Sequence, residues 1–286
     1  MKLNEYDVTE PYHAIIKSTT LLTPADHPTE VRHIVLDIPD PTFNFTEGQS
    51  VGVLIPGPHK FGNPHHLRLY TVASASNGES GNPSEVSICV RRCSYIDDVS
   101  GEEVEGVASN FLCDASVGDK IEITGPYGRH FTMPQDKSSN LLMIGTGTGI
   151  APFRAFVKHI YEESGGWEGK VRLFYGAQTG MEMLYMNDSS DDISQYLDKE
   201  TFTAIQALSP RPHFNDPIDL QGALESHESE IWEMVNKPNT YVYVAGQEST
   251  KEHLDKAMTT MAGSEEAWHE TLQKLENEDR WSELLY

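Results

Sequence analysis

Two short segments of the chain carry residues that suit the binding of a dinucleotide. The first is Arg68-Leu69-Tyr70-Thr71, which places a cation, an aromatic ring and a hydroxyl on one extended stretch. A cation suits a phosphate, an aromatic ring suits a flat heterocycle such as isoalloxazine, and a hydroxyl can lie beside a reacting nitrogen. This combination indicates a flavin dinucleotide.

The second segment is rich in glycine. The apolar run Leu141 to Ile144 precedes Gly145-Thr146-Gly147-Thr148-Gly149, and a helical pattern with Pro152 near its start follows. Small residues let the backbone approach a ligand, and the free N–H groups at a helix start favour a pyrophosphate. The segment lacks both the Gly-x-Gly-x-x-Gly spacing and the Gly-Lys-Ser/Thr ending, so alone it also fits a tight connection. Together the two segments predict two dinucleotides on one chain, and hence hydride transfer.

Composition narrows the classes of partner. The 286 residues include 44 acidic and 21 basic side chains, giving a formal charge of −23, which disfavours DNA and anionic membranes. No apolar run approaches the roughly 20 residues needed to span a bilayer, and the first residues lack a secretory apolar region. The three cysteines, Cys89, Cys93 and Cys113, cannot all pair. We therefore expect a cytoplasmic protein.

Short β-rich stretches separated by turns occupy the first half of the chain, and they predict an antiparallel barrel. The predicted strands are Tyr12 to Leu22, Val31 to Ile38, Ser50 to Ile55, Leu67 to Ala73, Glu85 to Cys93 and Lys120 to Thr124. A capping helix is predicted to begin within Ser109 to Cys113.

After a polar linker from Pro134 to Asn140, strands alternate with helices, which predicts a parallel sheet covered by helices. The predicted strands are Leu141 to Ile144, Val171 to Tyr175, Phe202 to Leu208 and Tyr241 to Val244. The predicted helices are Pro152 to Glu163, Leu220 to Val235, Thr250 to Met261 and Glu265 to Leu275. A ligand of such a sheet binds at the carboxyl ends of its strands, where the glycine-rich segment lies.

Several further motifs make the chain resemble plant-type ferredoxin–NADP reductases. They are Ser87-Ile88-Cys89-Val90-Arg91-Arg92, Gly106 to Asp114, Ile123 to Gly128, the glycine-rich segment, Glu230 to Met234, Tyr241 to Gly246 and the terminal Tyr286. The resemblance implies an antiparallel β-barrel domain that binds FAD, residues 1–136, followed by a Rossmann-like α/β domain with a parallel sheet that binds NAD(P), residues 137–286.

The resemblance also assigns roles to individual residues. Arg68 would contact the FAD pyrophosphate, Tyr70 would stack on one flavin face, and Thr71, where the family usually has serine, would lie near flavin N5. The residues that it assigns to cofactor binding are Arg68, Leu69, Tyr70, Thr71, Cys89, Val90, Arg91, Val107, Ala108, Ser109, Gly147, Thr148, Gly149, Pro152, Ser209, Arg211, Asp219, Gly246 and Tyr286. No metal site is predicted, because the adjacent His65 and His66 point apart and no matching carboxylates follow.

Near the end of the chain the resemblance is partial. Family members stack the terminal tyrosine, here Tyr286, over the other flavin face, so nicotinamide must displace it. The near-terminal glutamate of the family falls at Leu284, and Glu283 is shifted by one residue. The family's active-site cysteine is replaced by Ala245. Thr71, Tyr286 and Glu283 are the predicted catalytic residues; a frayed terminus is the alternative for Tyr286.

Preference between NADPH and NADH stays open at this stage. The family binds the 2′-phosphate of NADP with a Ser-Arg pair followed by Lys-x-Tyr. Here Ser209 matches the serine, but Pro210 occupies the arginine position and Arg211 follows it by one residue. Pro217 and Asp219 occupy the lysine and tyrosine positions. A carboxylate repels a phosphate and accepts hydrogen bonds from a ribose diol, so Asp219 favours NADH, whereas the family resemblance slightly favours NADPH.

The predicted activity is that of a ferredoxin–NAD(P) reductase, which uses FAD to exchange electrons between NAD(P)H and ferredoxin or another iron–sulfur protein. Two alternatives remain. One is the reductase component of an oxygenase system, similar to benzoyl-CoA oxygenase reductases. The other is an FAD-holding subunit of a larger complex that does not oxidise NAD(P)H. An acidic ferredoxin would be repelled by the net charge unless basic residues such as Lys60, Arg91, Arg92 and Arg129 cluster locally.

Overall fold

The computed structural model describes residues 6–57, 59, 63–97, 101–128 and 131–286. The chain divides into two compact units, Met1–Arg129 and His130–Tyr286. Phe131 packs against the ring of Phe156, with centroids 5.7 Å apart, and the Tyr243 hydroxyl donates to the Thr132 carbonyl at 2.8 Å. Because of these contacts the second unit begins before residue 137, the first residue of the NAD(P)-binding domain that the resemblance implies.

The first unit is an antiparallel sheet. The strands in its described part are β1 (Tyr12–Leu21), β2 (Val31–Asp37), β3 (Ser50–Pro56), β4 (His65–Thr71), β5 (Glu85–Arg91), β6 (Ser94–Ile96), β7 (Glu103–Glu105) and β8 (Lys120–Tyr127). Six of them form one sheet in the order β4-β3-β8-β1-β2-β5. A bridge between Val72 and Ile88, together with the Ala73 N–H donating to the Ser87 carbonyl at 2.7 Å, joins the end of β4 to β5. The sheet thus closes into the predicted barrel.

A helix, α1 (Val107–Asp114), packs against β3, β4 and β5. Its inner face buries Ala108, Leu112 and Cys113 in the apolar interior of the barrel. This burial is what a short helix requires, since an isolated helix of its length is not stable in water. The helix start is therefore held beside the strand that carries Arg68.

The small hairpin formed by β6 and β7 was not predicted. Each strand has three residues and is mostly exposed, so neither shows the alternation of apolar and polar residues that reveals a longer strand.

The second unit is a parallel sheet with helices between its strands. The strands are β9 (Asn140–Thr146), β10 (Val171–Ala177), β11 (Phe202–Leu208), β12 (Thr240–Gly246) and β13 (Trp281–Leu285). Their order is β11-β10-β9-β12-β13, and every neighbouring pair is parallel. The helices are α2 (Ile150–Lys158), α3 (Leu220–Glu225), α4 (Glu228–Val235), α5 (Glu248–Ala262) and α6 (Glu265–Asn277). This confirms the predicted fold class.

Two details of the second unit differ from the predicted elements. The helix predicted from Leu220 to Val235 is interrupted at Ser226 and His227, where the Ser226 hydroxyl bonds the Ala223 carbonyl at 2.8 Å. The terminal strand β13 was missed, because a five-residue segment with two polar positions carries little signal by itself. Pairing with β12 and packing of the Trp281 ring on Trp268, with centroids 5.8 Å apart, determine its conformation.

In the part of the chain that the structure describes, no helix combines the length and the apolar character needed to cross a membrane.

Candidate active site

The barrel unit places the predicted flavin residues on and beside β4. Arg68 is exposed, and no described residue forms an ion pair with it. Tyr70 packs partly against the barrel core, and burial raises the pKa of its phenol above the ordinary value. Its ring is therefore neutral over the physiological pH range. The Thr71 hydroxyl lies 3.3 Å from that of Ser50 on the paired strand.

The start of α1 has the properties of an anion site. Gly106 occupies the N-cap position without a side-chain cap, and the first turn contains no acidic residue. A Cβ atom on Gly106 would lie 3.0 Å from the Cys93 carbonyl oxygen, so glycine permits the close packing of this turn. The Ser109 hydroxyl accepts a bond from the Cys93 N–H at 3.2 Å. Uncapped N–H groups beside an exposed arginine fit a pyrophosphate.

The other residues predicted for FAD differ in their accessibility. Arg91 is exposed at the end of β5, whereas the side chains of Cys89 and Val90 are buried and leave only their backbone for a ligand. Arg92 is already engaged: its guanidinium donates to Glu30 at 2.6 Å and to Asn110 and Asp114 at 2.7 Å each. Arg92 therefore adds no unpaired positive charge to the surface. Lys60 and Arg129 lie outside the described residues.

In the second unit the glycine-rich segment is a tight turn between β9 and α2. A Cβ atom on Gly149 would lie 2.3 Å from the Ala245 carbonyl oxygen, and one on Gly246 would lie 2.7 Å from the Thr146 carbonyl oxygen. These glycines are thus required for packing the turn against the end of β12. Gly147 differs, because its φ of +54° favours glycine and a Cβ atom added there would lie 3.8 Å from the nearest atom, the Tyr286 hydroxyl oxygen.

The start of α2 is also suited to an anion. Gly149 is the N-cap without a side-chain cap, the first turn has no acidic residue, and Pro152 lies within that turn. At the same edge of the sheet, just after β10, the Thr179 hydroxyl is buried and has no hydrogen-bond partner among the described residues. The Ile150 N–H already donates to the carbonyls of Gly147 and Thr148, so the backbone of the turn Gly147–Gly149 and the unpaired Thr179 hydroxyl are the groups at this edge that fit the pyrophosphate of a nicotinamide coenzyme.

The connection after β10 is fixed by a buried cation. Arg154 on α2 is 2% exposed; its Nε donates to Asp192 at 2.9 Å, and its guanidinium lies 4.9 Å from the centre of the Tyr185 ring. Removing Asp192 would leave the buried guanidinium without its anion, although the 39% exposure of Asp192 lets solvent screen part of the attraction. The pair therefore holds this connection at the edge where Thr179 lies.

The terminal Tyr286 is well placed on the glycine turn. Its N–H donates to the Gly246 carbonyl at 3.0 Å, and its hydroxyl lies 2.5 Å from the Thr148 hydroxyl. The pairing of β13 with β12 continues this order up to the preceding residue. The alternative of a frayed terminus has no support in these contacts.

Glu283 is not brought together with Tyr286. Along β13 the side chains of Trp281, Glu283 and Leu285 share one face, and that face packs on the helices. The Glu283 carboxylate pairs with Lys251 of α5 and accepts a bond from the Trp281 Nε1 at 2.6 Å. Tyr286 follows on the other face. A role of Glu283 in proton transfer stays a prediction, without a contact that supports it.

The loop between β11 and α3 contains the residues predicted to contact the 2′-phosphate of NADPH or the ribose hydroxyls of NADH. The Ser209 hydroxyl and the Gln178 amide both donate to the Asp216 carbonyl, at 2.7 and 2.8 Å. The Asp216 carboxylate pairs with Arg211, whose Nε lies 2.7 Å away. Phe214 is 76% exposed and lies 5.7 Å from the same guanidinium. Arg211 therefore already has an anionic partner within the protein.

Asp219 has a local function that its sequence position did not reveal. It is the N-cap of α3, and its carboxylate accepts a bond from the Gly222 N–H at 3.1 Å. Asp216 and Phe214 were also missed, although an exposed aromatic residue and a carboxylate five positions after Arg211 were visible signals. Lys251 gave no signal, because its proximity to Glu283 arises only from the fold.

Comparisons with known proteins agree with this geometry. Residues 143–266 match the family model described as an oxidoreductase NAD-binding domain. The ferredoxin–NADP reductase leaf isozyme 1 of Oryza sativa subsp. indica is 36% identical over 99% of this chain and 79% of its own length. The chloroplastic ferredoxin–NADP reductase of Spinacia oleracea is 34% identical over 99% of this chain and 78% of its own. The chain belongs to the ferredoxin–NADP reductase family.

The similarity extends to three dimensions. The solved ferredoxin–NADP+ reductase of Plasmodium falciparum superposes on 99% of this chain with a TM-score of 0.75, covering 98% of that structure at 20% identity. At 20% identity this match supports the fold and nothing further. The fold is the two-domain fold of the family, a barrel unit followed by a parallel-sheet unit.

Proposed function

We propose that this protein is a flavoenzyme that exchanges electrons between NAD(P)H and ferredoxin or a similar iron–sulfur protein. The observation that carries the proposal is that α1 in one unit and α2 in the other each begin with neither a side-chain cap nor an acidic residue in the first turn, at the positions that the family resemblance assigns to the two dinucleotides. When bound, FAD supplies the conversion between two-electron and one-electron transfer.

The barrel residues would hold the flavin nucleotide. The exposed guanidinium of Arg68 and the N–H groups at the start of α1 bind the pyrophosphate, because both offer unneutralised positive charge. Tyr70 offers a neutral aromatic ring, and Thr71 offers a hydroxyl that can orient a reacting group. The stiffness of threonine relative to serine favours one side-chain rotamer.

The second unit would hold the coenzyme. The start of α2 binds its pyrophosphate, and Tyr286 covers the turn in the absence of coenzyme. Displacing the ring uses part of the binding energy, which limits the affinity of the ground state without reducing the rate of transfer in proportion.

Both NADPH and NADH are proposed as electron donors. Ser209 and Arg211 are the groups able to receive a 2′-phosphate, but Arg211 is paired with Asp216, and Asp219 adds a second carboxylate to the same loop. A 2′-phosphate must compete with these anions, whereas a ribose diol does not. We therefore expect discrimination against NADH to be weak.

The cysteines of this chain do not supply the iron–sulfur centre. There are three of them, of which Cys89 and Cys113 are buried, and these are too few for a four-cysteine cluster. The oxygenase-reductase alternative shares this chemistry and differs in its partner. The FAD-holding subunit alternative is disfavoured by the ordered Tyr286 and by the open start of α2, which such a subunit would not need.

The test is a steady-state assay of the purified protein after its FAD content is measured. We expect a bound flavin, and reduction of ferricyanide with both NADPH and NADH. Folded protein that takes up no FAD, or that holds FAD and reduces ferricyanide with neither coenzyme, contradicts the proposal.

Cytoplasmic location is a separate proposal, supported by the three cysteines, which cannot all pair in disulfides. Fractionation of the source cells that places the protein in an oxidising compartment would overturn it.

A further inference from the structure

The hydrogen bond between Thr148 and Tyr286 joins the coenzyme turn to the end of the chain. Thr148 stands between Gly147 and Gly149, directly before α2, and is half-buried. The Tyr286 ring is 55% exposed, and its hydroxyl lies 2.5 Å from the Thr148 hydroxyl. The ring is thus tied at its polar tip to the turn that offers the N–H groups for a pyrophosphate.

The position of Tyr286 is set from two directions. Its backbone N–H continues the pairing with β12, through the Gly246 carbonyl at 3.0 Å, and this contact fixes the Cα atom. It does not fix the ring, which can rotate about its side-chain torsions. The bond to Thr148 selects the rotamer in which the hydroxyl lies over the turn.

We propose that the Thr148 hydroxyl is a positioning group that latches the Tyr286 ring on the turn, and that the coenzyme's pyrophosphate releases the latch by taking this hydroxyl. The inference rests on the proposed function, because it requires a dinucleotide at the start of α2. Either hydroxyl can donate in this bond, and we assign the donor to Thr148; its one proton then goes either to the tyrosine or to a phosphate oxygen. A bond to a charged phosphate is about twice as strong as one between neutral hydroxyls, so phosphate wins the exchange.

The consequence is a coupling between the two ends of the coenzyme. Binding of the pyrophosphate frees the aromatic ring before nicotinamide reaches it, so the phosphate contact prepares the displacement of Tyr286. A ring that hindered nicotinamide by bulk alone would leave the affinity for the phosphate-bearing half of the coenzyme unchanged. The two cases are separated by a ligand that has the pyrophosphate and lacks nicotinamide.

ADP-ribose and 2′-phospho-ADP-ribose are such ligands, and their dissociation constants for the FAD-bound protein can be measured by calorimetry. Tyr286→Phe keeps the ring and removes the hydrogen bond to Thr148. We expect this variant to bind whichever of the two ligands the wild type binds more tightly about threefold to tenfold better than the wild type does, which is the net value of one neutral hydrogen bond. In a Thr148→Val background the same Tyr286→Phe change should have no effect, because no latch is left to remove. Thr148→Ser restores the hydroxyl and should restore the sensitivity to Tyr286→Phe.

Two results overturn the latch: an affinity for both ADP-ribose ligands that Tyr286→Phe leaves unchanged, or an equal tightening in the Thr148→Val background. If NAD(P)H still bleaches the flavin of these variants, the proposed function survives while the latch fails. If the wild-type protein binds neither ADP-ribose ligand and its flavin is not bleached, both the function and the latch fail. Because Thr148→Val preserves the branched shape, its melting temperature shows whether the turn is intact.

Discussion

At the scale of single residues, Asp219 shows how one side chain can serve the fold and also influence a ligand. Its carboxylate caps α3, and the same negative charge lies at the end of the loop that we propose to contact a 2′-phosphate. A substitution that removes both properties at once cannot distinguish them. Asparagine is the useful replacement, because it caps a helix as well as aspartate does and carries no charge.

We expect Asp219→Asn and Asp216→Asn each to raise the ratio of kcat/KM for NADPH to that for NADH. The expected increase is about threefold to tenfold, as removal of one like charge near an exposed phosphate implies. Asp216→Asn should have the larger effect, because it also frees Arg211 from its ion pair.

Asp219→Ala is the matched control for the cap. It should shift the coenzyme ratio like Asp219→Asn, and should also lower the free energy of unfolding by about 1 kcal/mol, which the asparagine variant should not. An unchanged ratio in both asparagine variants would mean that this loop does not contact the 2′-position.

Arg68 is the residue on which flavin binding should depend most. We expect Arg68→Ala to weaken FAD binding about tenfold to a hundredfold, the value of a charge-assisted hydrogen bond to phosphate. The measurement is fluorescence titration of FAD into the flavin-free protein. Lys120→Ala, which removes an exposed cation from β8 of the same barrel, is the control and should retain the wild-type affinity. Equal affinities for all three proteins would remove Arg68 from the site.

At the scale of elements, β13 connects the helical layer to the turn. The Trp281 ring of β13 packs on Trp268 of α6, and Glu283 of β13 pairs with Lys251 of α5. The strand leads directly to Tyr286. We infer that this pair stabilises the terminal strand, without acting on the coenzyme itself.

Lys251→Met should therefore loosen the end of the chain. We expect amide exchange in the segment 282–286 to become about fivefold faster, as the loss of a partly exposed ion pair worth up to about 1 kcal/mol implies. FAD content should not change. Lys256→Met, at an exposed position of the same helix, is the control and should exchange like the wild type. Equal exchange in the two variants would contradict the stabilising role of the pair.

The elements that could be predicted are those with a regular burial pattern. The strands of the barrel and the first four strands of the parallel sheet were predicted because their apolar residues recur with a strand period or form a continuous run. The hairpin of β6 and β7 and the terminal β13 could not be, since only pairing makes them strands.

The same distinction applies to the site. The turn at Gly147 and the segment around Tyr70 are contiguous in sequence and were predicted. The pairing of Arg211 with Asp216 and the cap formed by Asp219 depend on where a loop folds back and a helix begins, which the sequence pattern left open.

At the scale of the whole molecule, the formal charge of −23 is the dominant property. Charges of one sign repel across the surface, and this repulsion opposes the compact state. Salt screens it, because the Debye length falls from about 30 Å at 0.01 M to about 3 Å at 1 M.

We therefore expect the melting temperature to rise steadily with NaCl over this range. A series with sucrose at matched osmolality controls for the general effect of an excluded solute. A melting temperature that falls with added NaCl would show that attractive ion pairs outweigh the repulsion.

The rate of electron transfer to an acidic ferredoxin should also increase as the salt concentration is raised from low values, because salt screens the repulsion between two negatively charged proteins.

The central claim is that one chain takes electrons from a nicotinamide coenzyme through its own FAD and passes them to an iron–sulfur protein. Anaerobic titration of the FAD-bound protein, followed by its visible spectrum, tests this most directly. We predict that a single equivalent of NADPH or NADH bleaches the flavin absorbance, and that oxidised ferredoxin added afterwards restores it. A flavin spectrum that neither coenzyme changes would contradict the account.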